Sequence, residues 1–183
     1  MRIHQSLLTA LTAVAILWLV FFVNLIIPGD LRWYGLRPRS LSGLPGIILS
    51  PFLHVGIFHL IANTGALFVL LAVSLSYSGR LTAVALTIIV LLGGALTWLF
   101  GQGQAVHIGA SGVVFGLTGF LVFMGICRRE WRALFISLGV IAFYGGVFQS
   151  LLLVFPGQSW ASHFFGLMAG IFAAWRTREF TID

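Results

Sequence analysis

Long apolar runs alternate with short polar breaks from one end of the chain to the other. Six runs, 7–27, 52–75, 81–100, 111–126, 133–154 and 160–175, read as helices crossing a bilayer, each crossing needing about 20 apolar residues. The breaks between them carry Pro28-Gly29-Asp30, Arg80, "GQGQAVHIG", "CRREWR" and "FPGQSW". The stretch "LSGLPGIILSPFLH" is apolar but interrupted by Pro45 and Pro51, so it is expected to dip into the membrane without crossing. The pattern predicts an all-α polytopic membrane protein, one domain over residues 1–183, with little chain left for a soluble module.

Composition sharpens this. Of 183 residues 60% are apolar and 8% charged, and mean hydropathy is +1.08, far from the soluble range. The net charge of +6 comes entirely from arginine, and in a membrane protein such an excess records topology rather than nucleic-acid binding. If even-numbered spans leave on the side of the N-terminus, that side holds Arg2, Arg80, Arg128, Arg129, Arg132, Arg176 and Arg178. The other side holds Arg32, Arg37 and Arg39, all in the first loop beside Trp33 and Tyr34, a mixture suited to lipid headgroups. The imbalance predicts both termini in the cytoplasm. No small-residue cleavage site follows Ile27, so the first run reads as a retained signal anchor. Cys127 stands alone, which excludes an intrachain disulfide.

The four acids, Asp30, Glu130, Glu179 and Asp183, all fall outside the spans. Membrane proteases built on paired aspartates therefore lack their groups, and without HExxH a zincin-type site lacks its ligands. A transporter or channel using histidines as a proton path predicts buried acids or an internal repeat, and neither is visible. Polar residues within or beside the spans are His54, His59, Asn63, Ser111 and His163, with His107 and Gln149 as lesser candidates.

In "HVGIFHLIAN", His59 and Asn63 are four apart and share a helix face. Interhelical hydrogen bonds of roughly 1 kcal/mol each suit these residues; a metal site would lack a carboxylate or thiolate. In "WASHFFGLMAG", Gly166 and Gly170 follow His163 near its face and form a GxxxG pair that permits backbone contact with another helix. "HIGASGVVFGLTGF" offers a matching small face through Gly112, Gly116 and Gly119. Packing of the two faces would bring Ser111 near His163. Ser111 in a first helical turn suits a cap and equally a nucleophile, which needs a base to take its proton. His163 is that base, and the Ser111 backbone N–H with His59 and Asn63 are candidate oxyanion donors.

"GASG" at 109–112, "HVGIFHLIAN" at 54–63 and "SHFFGLMAG" at 162–170 together resemble the rhomboid family of intramembrane serine proteases, over nearly the whole chain. The resemblance implies a six-span bundle and a Ser–His dyad without an acid, here Ser111 and His163, with no metal or cofactor. It implies an oxyanion site from the amide of Ser111 and the side chains of His59 and Asn63. His54 matches a supporting histidine and Gly109 the glycine two before the nucleophile. Implied substrates are single-span or polytopic membrane proteins in the lipid bilayer, unwound locally at helix-breaking or small residues. The implied place is the bacterial inner membrane, and by the arginine count the site is expected to open to the non-cytoplasmic side.

Phe115 stands where many relatives have tyrosine, which keeps ring stacking on the histidine and loses a hydroxyl. Pro45-Gly46 replaces a Trp-Arg pair, so the first loop needs another anchor, with Arg37 and Arg39 as candidates. Lateral access past the fifth span would make Phe148 and Trp160 gate residues, and Gln149 is read as a bond to a neighbouring helix. An inactive, client-binding relative is the rival reading. Such proteins usually lose the serine or the histidine, and this chain has both.

Overall fold

A computed structural model describes residues 3–103, 105–152 and 159–181. Arg2, Asp183, the end of the expected fifth span and most of "FPGQSW" lie outside the described residues. Among those described, regular structure is helical apart from one antiparallel bridge, Leu36 with His107. The helices are α1 (Ile3–Ile26), α2 (Ile57–Tyr77), α3 (Gly79–Phe100), α4 (Ser111–Arg128), α5 (Trp131–Tyr144), α6 (Gly146–Leu152) and α7 (Trp160–Arg176). Four of them, α1 to α4, are long and apolar enough to cross a membrane; α5 is apolar but shorter, and α7 has 17 residues.

The boundaries have local causes. The second apolar run becomes helical at Ile57 rather than at residue 52, because Ser50–Phe52 forms a 3-10 turn around Pro51 and Gly56 is extended. His54 therefore precedes α2 instead of sitting on it. Ser78 alone separates α2 from α3: extended itself, it accepts the Leu81 N–H at 3.3 Å and so caps the next helix. Inside α3, Ile89–Gly93 is a π turn, and Gly93 lies against the backbone of α7 at Phe165 and Gly166. Arg129, in the left-handed region at φ 53°, ends α4.

α4 is buried along most of its length and forms the axis of the bundle. Its seam with α7 is made of glycines facing backbone. A Cβ on Gly166 would strike the Gly112 carbonyl, one on Gly170 the Gly116 carbonyl, and one on Gly119 would sit 2.7 Å from the Leu167 carbonyl oxygen. Lipid competes with any apolar side chain, so close backbone packing of this kind is what draws membrane helices together.

At the Arg128 end, that guanidinium donates to the carbonyls of Thr177 (2.9 Å) and Phe180 (2.8 Å) and pairs with Glu130 at 3.2 Å. Tyr77 donates its hydroxyl to the same carboxylate at 2.8 Å. The ends of α2, α4, α5 and α7 are thus bound together away from Ser111.

The first loop is anchored chiefly by Arg39. Its N–H bonds the Trp98 carbonyl at 2.9 Å, and its guanidinium caps the end of α3 through the carbonyls of Leu99 and Gly101, at 3.0 and 2.9 Å. Arg37 lies over the Trp33 ring instead, 5.0 Å from its centre. Earlier in the loop, hydrogen bonds from the side chain and backbone of Arg32 hold the Asp30 carboxyl down at about 2. The apolar stretch 41–52 follows as three short helical turns, too short to cross.

Candidate active site

Gly109 begins the site. Its φ of +114° suits glycine alone, and a Cβ there would come within 2.6 Å of the His59 ring. Its N–H bonds the Ser50 carbonyl at 2.9 Å, which ties the approach to α4 onto the first loop. Two residues later Ser111 occupies the first position of α4, where a backbone N–H has no acceptor within its own helix.

His163 lies in the first turn of α7, buried, with Nε2 2.9 Å from the Ser111 Oγ. Phe115, one turn after Ser111, lies flat against the imidazole, ring centres 4.2 Å apart at an interplanar angle of 10°. The ring thus has one face covered and one nitrogen aimed at a hydroxyl. The glycine seam brings the two residues together, because Gly112, directly after Ser111, and Gly166, one turn after His163, meet backbone to backbone.

An open cavity of about 630 Å³ exposes this pair. His59 and Asn63 line it on the α2 side, and Ser111, His163, His107 and Ser159 line it elsewhere. Asn63 spends one amide hydrogen on the His59 carbonyl at 2.8 Å, and a primary amide has a second to give. His54 does not line the cavity. It is buried behind His59, ring centres 5.2 Å apart and edge to face.

The structure thus brings Ser111, His163 and Phe115 into contact, sets His59 and Asn63 in the same cavity, and packs Gly109 against His59. Gly112, Gly166 and Gly170 act through the seam. Phe148 packs on the core from α6. Trp160 stacks on Phe164 and donates its indole N–H to the Leu151 carbonyl at 2.8 Å, joining α6 to α7. Gln149 is exposed and lines no part of the cavity. Sequence reasoning passed over Ser159, whose only signal was its place just before an apolar helix.

The family model of the rhomboid domain matches residues 42–180. The chain belongs to the rhomboid family. Over 176 residues this rhomboid is 39% identical to an uncharacterized protein of Mycobacterium tuberculosis, spanning 91% of this chain and 73% of that one. A Mycobacterium leprae protein, also uncharacterized, is 35% identical over 177 residues, 91% of this chain and 69% of its own. The rhomboid-type serine protease 2 of Eremothecium gossypii is 32% identical over 177 residues, 92% of this chain and 64% of its own. Membership and apolar helices make the chain an integral membrane protein of a family of intramembrane proteases.

Proposed function

We propose that this rhomboid is an intramembrane serine endopeptidase that cuts membrane-protein substrates within or near the bilayer with Ser111 as nucleophile and His163 as base. The observation that carries the reading is the 2.9 Å contact between the Ser111 Oγ and the His163 Nε2 under the Phe115 ring. A serine hydroxyl attacks a carbonyl only as its proton leaves, and an unprotonated Nε2 at this distance is positioned to take it. The same proton then passes to the leaving amine, and a water molecule repeats the sequence to release the acyl group.

The carbonyl oxygen becomes an anion during attack. The Ser111 N–H, the free amide hydrogen of Asn63 and His59 supply donors around the cavity, with His54 backing His59. In this reading residues 1–183 form one six-span domain, α5–α6 and α7 serving as the fifth and sixth spans. The arginines of the Arg128 end face the cytoplasm with both termini, and the cavity opens to the opposite side of a bacterial inner membrane. Lateral access runs past Phe148 and Trp160.

A fluorophosphonate probe tests the reading without a known substrate. The purified protein in detergent is expected to be labelled, and Ser111→Ala is expected to abolish labelling. A folded wild type that stays unlabelled would favour an inactive, client-binding role. Asn63→Ala is expected to lower turnover about 10²- to 10³-fold, as loss of one oxyanion donor does elsewhere, with little change in substrate affinity. Cleavage of a model transmembrane substrate, resolved into kcat and KM, checks this; a change confined to KM would remove Asn63 from the oxyanion site.

A further inference from the structure

His107 is a buried histidine that the proposed chemistry leaves unused. It stands four residues before Ser111, in the loop leading to α4. Its backbone is tied to the first loop, donating to the Leu36 carbonyl at 2.8 Å and accepting the Leu36 N–H at 3.1 Å. Its ring reaches the other way. Nδ1 is hydrogen-bonded to the Ser159 hydroxyl, while Nε2 abuts Gly101, where a Cβ would come within 3.1 Å of it.

Ser159 occupies the N-cap position of α7, but its side chain does not cap that helix. A serine there ordinarily accepts a backbone N–H of the first turn. Here its Oγ receives the Ser162 hydroxyl and meets His107, and its carbonyl receives the His163 N–H at 3.1 Å. Ser162 in turn sets its carbonyl against Gly112, 3.2 Å from where a Cβ would be. A continuous chain of contacts therefore runs from the loop before Ser111 to the first turn that carries His163.

We propose that His107 is a positioning residue, acting through Ser159 to hold the first turn of α7 in register with Ser111 and so to set the separation of the two. The inference rests on the Ser111–His163 reading. His107 is fixed by its backbone to the first loop and by its ring to α7, so it transmits the position of one to the other. The Arg128 clamp fixes α7 on α4 at the far end and the glycine seam holds the two along their length; the directional hydrogen bond from His107 supplies the matching constraint at the Ser111 end, where the clamp is remote.

The test compares the rate of fluorophosphonate labelling, with its pH profile, in the full-length wild type, His107→Ala, His107→Asn, Ser159→Ala and the double alanine variant, each with its thermal unfolding midpoint in detergent. His107→Ala is expected to label about tenfold to hundredfold more slowly, the range that follows when reacting groups are misplaced by about 1 Å. His107→Asn, whose amide nitrogen falls near the place of Nδ1, is expected to recover most of the rate. The double variant is expected to be no slower than His107→Ala, because two partners in one interaction do not add.

A wild-type rate in a folded His107→Ala would overturn the proposal, as would additive losses or an asparagine variant as slow as alanine. Should His107→Ala not fold, Ser159→Ala decides, and a wild-type rate there overturns it. A wild type that labels while His107→Ala is unaffected removes this inference alone. A folded wild type that never labels removes the protease reading with it.

Discussion

His163→Ala is expected to slow acylation of Ser111 by about 10²- to 10⁴-fold, the usual contribution of a positioned base. Its fold is expected to hold, since the α4–α7 seam is glycine against backbone and does not use the imidazole. What is lost is the one nitrogen within 2.9 Å of the Ser111 hydroxyl and the ring that Phe115 covers. Among the described residues no carboxylate stands near to take over, Asp30 lying in the first loop, Glu130 at the Arg128 end and Glu179 beyond α7. The same chemistry fixes the sign of the pH dependence. Only the unprotonated imidazole accepts a proton, so the wild-type rate is expected to fall as acid converts His163 to its cation. A rate that is flat from acidic to neutral pH, or a His163→Ala variant labelled at the wild-type rate, would remove His163 as the base.

Gly170→Val is expected to have the second large effect, on structure and rate together. Its Cβ would occupy the space of the Gly116 carbonyl, and the obstacle is helix backbone, which cannot swing aside as a side chain does. The two helices must move apart, at a cost of about 1–3 kcal/mol for overpacking. Ser111 and His163 stand at the end of the same seam, and a displacement of about 1 Å there is enough for a 10²-fold loss. The control is Gly139→Ala on α5, where a Cβ meets nothing within 4 Å. Thermal unfolding and probe labelling of both variants check the prediction, and equal behaviour of the two would show that the seam tolerates side chains.

These two residues also illustrate what was legible in the sequence. A histidine inside an apolar run is costly enough to be noticed, and glycines three and four apart announce a backbone contact. From "SHFFGLMAG" and "GASG" the meeting of α4 with α7 was therefore readable. The start of α2 was less so. Hydropathy runs unbroken across residues 52–57, but Pro51 and the extended Gly56 delay the helix to Ile57 and leave His54 outside it. The π turn at Ile89–Gly93 is equally silent, since an apolar run reads alike whichever carbonyl its N–H groups choose. The His107–Ser159 contact was out of reach for a different reason. Both residues lie in polar breaks, where a histidine or serine is unremarkable, and only the fold brings positions 52 apart in sequence together.

The Arg128 clamp has a mechanical meaning. With α4 and α7 riveted at one end and held by glycine contacts along their length, the pair works like tweezers whose tips, farthest from the rivet, carry Ser111 and His163. Any separation of the pair is expected to start at the tips and to die away toward the rivet. Backbone amides along α4 are therefore expected to exchange with heavy water fastest near Ser111 and slowest toward Arg128. Cutting the rivet by Arg128→Ala is expected to flatten that gradient, loosening the handle before the tips.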